Sequence, residues 1–315
     1  MRLIAGDIGG TKTLLRCIGD GGAVIAEERY ESGAYPTFDA LLREFVARVD
    51  APVDAACFAV AGPVYDGRGS LTNVGWTMDA NELARAFSIP RLSIINDFHG
   101  IALGVPLLGD GDLVRLQEGQ RDRSAPIGIL GTGTGLGQAI LAPCAGTYHV
   151  VASEGGHGDF APQDEEQTRL FLYLHERYGH VSWERVASGI GLVNIFTFLG
   201  GEEIDGAEID RLADAGDARA RHTFELFIDV VGAEAGNMAL RILARGGIYL
   251  AGGIAAKNVE RFRDGRFIDA FVRKGRFRAL AESIPVDLIT NEQVGLIGAA
   301  EGARRALESS RGASG

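Results

Sequence analysis

Twice along the chain an apolar segment runs into a glycine- and threonine-rich turn and leaves it as a second apolar segment. That arrangement narrows the folds open to the chain. The first turn is Gly6-Asp7-Ile8-Gly9-Gly10-Thr11-Lys12-Thr13. It nearly spells the phosphate loop G-x-x-x-x-G-K-[ST], but Thr11 stands where the second glycine belongs, and such a loop must feed a helix. Here Leu14-Leu15-Arg16-Cys17-Ile18 has the pattern of a strand, so a P-loop is excluded. The second turn, Gly131-Thr132-Gly133-Thr134-Gly135-Leu136-Gly137, looks like a dinucleotide fingerprint and fails it. Gly131 and Gly133 would need a third glycine at Leu136; Gly133 and Gly135 would need one at Gln138. Gln138-Ala139-Ile140-Leu141 is again strand-like. What remains is a pair of glycine hairpins whose backbone N–H groups and threonine hydroxyls can face phosphate. Taken singly, each is equally readable as an ordinary turn.

The surrounding pattern is α/β. It predicts strands at 3–7, 13–18 and 23–30, then a helix with Leu41, Leu42, Phe45, Val46 and Val49 on one face. A strand over 55–61 stops at Gly62-Pro63, and a short helix near 79–87 follows. Residues 109–126 are polar and read as an irregular crossing between domains. Beyond them come a strand at 127–130, helices near 165–178, 192–199 and 219–244, strands at 248–251 and 286–290, and a last helix of small residues from Gly295. The expected division is a small lobe, 1–107, completed by a C-terminal helix at 299–315, and a large lobe, 108–298. The tail 308–315 is expected to fray.

Composition sets outer bounds. With 31 Lys and Arg against 42 Asp and Glu, the net charge of -11 argues against nucleic acid or an anionic membrane as the main partner. Cys17, Cys57 and Cys144 are scattered and form no C-x-x-C pair, so reduced core cysteines are expected rather than disulfides or a thiolate zinc site. The chain moves from Met1 straight into a strand, and no apolar run approaches the ~20 residues of a membrane span, so a cytoplasmic protein is expected.

The chemistry gathers at Ser93-Ile94-Ile95-Asn96-Asp97-Phe98, a buried strand that ends in an amide and a carboxylate. An unpaired charge is costly in a dry interior, so Asp97 is expected where the strand opens into a cleft. Beside a nucleotide it is a candidate base. Asp7, at the end of its own strand, can hold Mg²⁺ through water. A third strand ends on Gly252 and Gly253, where backbone can lie flat against an adenine. Glu154-Gly155-Gly156-His157 sets an acceptor and an imidazole three residues apart on a sharp turn, types that match sugar hydroxyls. Read alone, that turn is a surface turn with an incidental histidine, Glu184 beside Arg185 is half of a helix-surface ion pair, and Asn73 is a turn residue. His149, His175, His180 and His222 show no metal spacing.

The order of these motifs resembles the actin-like ATPase family, which includes the sugar kinases and acetate kinase. Within it, Ile95-Asn96-Asp97, Ser153-Glu154-Gly155-Gly156-His157, Asp159-Phe160-Ala161-Pro162 and Glu184-Arg185-Val186-Ala187-Ser188-Gly189 resemble bacterial glucokinases, over roughly residues 3–303. The resemblance implies a two-lobed actin-like ATPase fold, ribonuclease H-like in each lobe, with a central cleft. It implies ATP-dependent phosphorylation of D-glucose at O6 to glucose 6-phosphate, the first step of glycolysis, with ATP and Mg²⁺ required. Asp97 would be the catalytic base, and Asn73, Asn96, Asp97, Glu154, His157 and Glu184 would contact glucose, bridging the lobes. Gly6, Asp7, Ile8, Gly9, Gly10 and Thr11 would hold nucleotide, with Gly133, Thr134, Gly135, Gly252 and Gly253; Asp7 would serve the metal.

Two positions depart from the family pattern. Lys12 stands where glucokinases often carry Asn, and Ile190 interrupts the usual S-G-P-G, a change expected to adjust a loop. The cysteine-rich zinc motif of the related repressor and kinase group is missing, so His157 is expected to bind sugar rather than metal. A kinase for another hexose or amino sugar stays open. A sugar-sensing repressor would need a basic helix-turn-helix, and a chaperone-type ATPase would have no use for Glu154 and His157. A homodimer is compatible with the resemblance, but oligomeric state is not legible in the residues.

Overall fold

The first glycine turn is a hairpin: β1 (Leu3–Ile8) runs antiparallel to β2 (Lys12–Ile18), with Leu3 opposite Ile18 and Ile8 opposite Thr13. In the computed structural model, which describes residues 1–309, the chain divides into two units. One runs from Met1 to Leu108 and takes up the chain again from Gln293; the other is Gly109–Glu292.

In the first unit the hairpin extends to β3 (Val24–Glu31), and β1 pairs in parallel with β4 (Ala55–Val60). A small antiparallel sheet follows, made of β5 (Val64–Tyr65), β6 (Arg68–Leu71) and β7 (Trp76–Asp79). The chain then returns as β8 (Leu92–Asn96), parallel to β4, giving the order β3-β2-β1-β4-β8.

Side-chain alternation along these strands divides the core. Ile4, Ile8, Phe58 and Val60 pack under the helix Phe38–Val49, which buries Phe38, Leu41, Leu42, Phe45 and Val49 and is capped by Thr37 Oγ1 accepting the Ala40 N–H at 3.2 Å. The opposite face is lined by small residues, Ala5, Cys57 and Ala59, and carries the C-terminal helix Val294–Ser309 through Leu296, Ala299 and Ala303. That helix begins one residue before the Gly295 expected from the pattern of small residues, and so ahead of the 299 given as the bound of the small lobe's second segment.

Glycines let it meet the helix Asp97–Gly104 backbone to backbone. A Cβ added to Gly298 would lie 1.7 Å from the Gly100 carbonyl oxygen, and one on Gly104 would lie 2.3 Å from that of Val294. Glu308 and Ser309 continue the helix; the rest of the tail expected to fray lies outside the described residues.

The second unit repeats the scheme. β10 (Ile127–Thr132), β11 (Leu136–Cys144) and β12 (Thr147–Ser153) form an antiparallel meander. β10 then pairs in parallel with β13 (Gly247–Ala251), and β13 with β14 (Val286–Ile289). The long helix Ala218–Ile242 supplies Phe224, Phe227, Val231 and Ala235 to the core against this sheet. Both units therefore have the ribonuclease H-like arrangement, and the fold is the α/β fold of the actin-like ATPases, as expected.

Two expectations are corrected. Residues 109–126 are not simply an irregular crossing, because β9 (Leu113–Gln117) pairs antiparallel with β14 and closes the sheet edge. The sheet order is β12-β11-β10-β13-β14-β9. Cys17 and Cys57 are buried, but Cys144 is exposed at the end of β11. There a two-residue turn, Ala145 and Gly146 with φ of 48° and 80°, reverses the chain at the surface.

Candidate active site

The candidate residues of the first unit start at the hairpin between β1 and β2. Gly9 N–H donates to the Lys12 carbonyl at 2.9 Å, closing the turn. Behind it lies a fully buried serine that sequence reasoning missed. Ser32 Oγ donates to the Gly9 carbonyl at 2.7 Å, its N–H donates to the Thr11 carbonyl at 2.9 Å, and Thr13 Oγ1 lies 2.9 Å from its hydroxyl. The carbonyls of the turn are thus held from behind. Among the described residues the N–H groups of Gly10 and Thr11 have no acceptor, which suits them to an external anion.

Asn73, exposed after β6, packs on the turn: a Cβ on Gly10 would sit 3.1 Å from its Nδ2. Gly6 and Ile8 face the core. Ile8 is core, and a Cβ on Gly6 would meet Phe58 and Leu15 at 2.7 and 2.8 Å.

Asp7 and Asp97 come together through strand register. Asp7 is level with Ala59 on β4, and Ala59 with Ile95 on β8, so Asp97 follows two residues beyond that level, just past the end of β8. Asp97 is not the end of the strand, as expected, but the first residue of the helix Asp97–Gly104. A helix N-terminus favours a carboxylate there.

Asn96 is the N-cap. Its Oδ1 and the Oδ1 of Asp97 both lie 2.9 Å from the Phe98 N–H, and its Nδ2 donates to the Gly62 carbonyl at 3.1 Å. Asp7 lies against the first turn of the C-terminal helix, where a Cβ on Gly295 would be 3.2 Å from its Oδ2. Burial, and then the negative charge of Asp97, push the Asp7 carboxyl up to about 6.

The candidate residues of the second unit centre on the turn between β10 and β11. Gly133 N–H donates to the Gly135 carbonyl at 3.0 Å, and Gly189 N–H donates to that of Gly133 at 2.8 Å. Leu136 N–H donates to Glu184 Oε2 at 3.0 Å, and a Cβ on Gly135 would lie 2.4 Å from the same oxygen. Glu184 is therefore not half of a helix-surface ion pair; it is fastened to the glycine turn.

The other oxygen of Glu184 faces His157, with Oε1 3.9 Å from Nδ1, while Nε2 is 3.8 Å from Glu154 Oε2. The structure thus gathers Glu154, His157 and Glu184 around one imidazole, with separations too long for direct hydrogen bonds. Ser188 ties the segment together, donating to the Glu184 carbonyl at 2.7 Å and accepting the Gly191 N–H at 3.2 Å. Ile190 lies not in a loop but in the first turn of the helix Gly189–Phe198, a position where proline and isoleucine are both tolerated.

Beside the turn is a pocket of ≈ 410 Å³ lined by Gly133, Thr134, Gly189, Leu192, Phe224, Gly253, Ile254 and Asn258, among others. Gly252, at φ 94°, packs flat on the backbone of Thr132: a Cβ there would lie 2.4 Å from its carbonyl oxygen. The buried Thr132 hydroxyl, passed over in favour of Thr134, has no partner among the described residues. His180 instead lies within hydrogen-bond distance of Asp159, at 2.9 Å, and His222 within that of Glu166 and Glu225, at 2.9 and 3.1 Å.

The glucokinase family model matches residues 4–306. The glucokinase of Trichormus variabilis is 42% identical over 333 aligned residues, covering 95% of this chain and 97% of that one. Among solved structures, a glucokinase from an Antarctic psychrotroph superposes with a TM-score of 0.89 at 31% identity, over 96% of this chain and 99% of that one. A ROK family glucokinase from Streptomyces griseus, solved with glucose and AMPPNP, shares the fold at a TM-score of 0.61 and 22% identity, over 97% and 100% of the two chains. Glycine turns, paired carboxylates and whole-length similarity agree, and the chain belongs to the glucokinase family.

Proposed function

We propose that the chain is a glucokinase in which Asp97 is the general base and Asp7 serves the metal. The reaction is transfer of the ATP γ-phosphoryl group to O6 of D-glucose. The observation that carries the assignment of roles is the Asp7–Asp97 pair: one carboxyl is pushed up to about 6 by burial and by its neighbour's charge, at the end of the sheet that bears the first glycine turn.

The two carboxylates divide the work. Asp97 accepts the O6 proton as the O–P bond forms, and Asn96 orients the same edge of the sugar. Asn73, Glu154, His157 and Glu184 pair with the remaining hydroxyls, acting as acceptors and, at the amide and imidazole, donors.

The amides of Gly10 and Thr11 and those of Thr134 and Gly135 hold phosphates, with Gly9 and Gly133 closing the two turns through their own N–H groups and Gly6 and Ile8 acting through packing. Adenosine lies in the pocket lined by Gly133, Thr134, Gly253, Ile254 and Asn258, with Gly252 keeping the backbone flat. Mg²⁺ fits Asp7, which is not neutralised by any lysine or arginine among the described residues. Bound with the nucleotide, it would offset charge on the transferring phosphoryl group, whose loose transition state needs positioning above all.

In this reading the units serve as the small and large lobes of a cytoplasmic enzyme that needs neither nucleic acid nor membrane. No helix among the described residues is long and apolar enough to cross a membrane. A coupled assay of glucose against mannose, fructose and N-acetylglucosamine tests the substrate: kcat/KM should be highest for glucose, and a higher value for any other sugar would reassign it.

A further inference from the structure

Behind the turn that carries Glu154 and His157 lies a carboxylate with no part in the reaction as described. Glu234, on the helix Ala218–Ile242, is fully buried. A buried charge persists only when its hydrogen bonds are made. Arg241 makes two of them, Nη1 to Oε1 and Nη2 to Oε2, both 2.8 Å, and Asn237 Nδ2 donates to Oε2 at 3.2 Å. The remaining donor comes from the sheet: Gln138 Nε2, on β11, is 2.9 Å from Glu234 Oε1.

An amide has one donor end and one acceptor end, so what holds the first decides where the second points. Gln138 is itself buried, and its Oε1 lies against the sugar turn, where a Cβ on Gly155 would be 2.2 Å away. Across the β11–β12 ladder Gln138 faces Ser153, whose Oγ accepts the Gly155 N–H at 3.1 Å. Gly156 presses equally closely on the Leu136 carbonyl, 2.1 Å from an added Cβ. The backbone between Glu154 and His157 therefore rests directly on the start of β11.

We propose that Glu234 and Gln138 are positioning residues for glucose: the buried carboxylate fixes the Gln138 amide, and the amide sets the place of the turn that presents Glu154 and His157. The inference rests on the assignment of Glu154 and His157 as glucose contacts.

Two variants approach the contact from opposite sides. Gln138→Met keeps the length of the side chain and leaves Glu234 its bonds to Arg241 and Asn237. Gly155→Ala acts from the turn, so it carries the test if Gln138→Met fails to fold. Each should raise KM for glucose about tenfold, as expected for a small misplacement of binding groups, while KM for ATP stays within about twofold of the parent. A residue that merely filled the core would lower Tm without separating the two KM values. Glu154→Gln and His157→Ala serve as controls in the same assay. If they raise KM for glucose while Gln138→Met and Gly155→Ala leave it unchanged, or raise both KM values equally, the positioning role is refuted. If the controls themselves leave KM for glucose unchanged, the assignment of the sugar turn fails instead.

Discussion

Asp7→Asn should make the protein more stable and leave it inactive. The magnitude follows from the carboxyl's surroundings. Its folded pKa is about 6 against an ordinary value of 3.8, a rise of about two units, caused first by burial and then by Asp97. At 1.36 kcal/mol per unit, ionised Asp7 costs the folded state about 3 kcal/mol at neutral pH.

The sign is that of a carboxyl bound to its proton more tightly when folded. Between pH 4 and pH 6 the folded chain holds more protons than the unfolded one, so the contribution of Asp7 to stability falls as pH rises through that window. Urea unfolding without nucleotide or Mg²⁺, at half-unit steps from pH 4 to pH 8, reads this directly. The difference between variant and parent should grow across the window and level off at about 3 kcal/mol in favour of the variant. A variant less stable than the parent at pH 7, or a difference that does not change with pH, would refute the reasoning. An active variant would remove Asp7 from metal handling.

Two further perturbations test the scaffold around the same turn. Ser32→Ala leaves the partly buried Gly9 carbonyl without its hydroxyl partner; it should cost about 1 kcal/mol in chemical denaturation and raise KM for ATP more than KM for glucose. Gly298→Ala inserts a methyl group 1.7 Å from the Gly100 carbonyl oxygen. It should cost about 1–3 kcal/mol or more by forcing apart the two helices beside Asp7 and Asp97, seen as a lower Tm together with a lower kcat.

Local signals were legible in the residues and contacts between distant segments were not. The glycine hairpin could be read because turn chemistry is local: Gly9 and Gly10 permit the reversal, and the alternation of Leu14 to Ile18 separates a strand from a helix. The helix over 38–49 announced its buried face through the spacing of Leu41, Leu42 and Phe45. Glu154 and His157 are legible as a polar turn and gain their role, like Glu184, from family resemblance, whereas the approach of Glu154 and Glu184 to the two sides of the His157 imidazole depends on the fold.

Ser32 gave no signal, because its importance depends on β3 returning beside the hairpin. β9 was hidden because its short run, Leu113 to Gln117, sits among charges, and it is a strand only because β14 offers an edge for it. Ile94 and Ile95 dominate the local pattern, which therefore reads as a strand running to Asp97. That Asn96 caps a helix instead depends on glycines at 100 and 104, whose partner residues are nearly two hundred positions away.

The account stands most directly on Asp97→Asn. The substitution keeps size and shape and removes the basic oxygen, so glucose should bind within a few-fold of the parent while kcat falls by roughly 10²–10⁴. Measuring kcat, glucose affinity and Tm on one preparation separates a lost base from a damaged fold. A near-normal kcat per folded molecule, with lowered Tm, would leave Asp97 as the first residue of its helix and nothing more, and would contradict the mechanism.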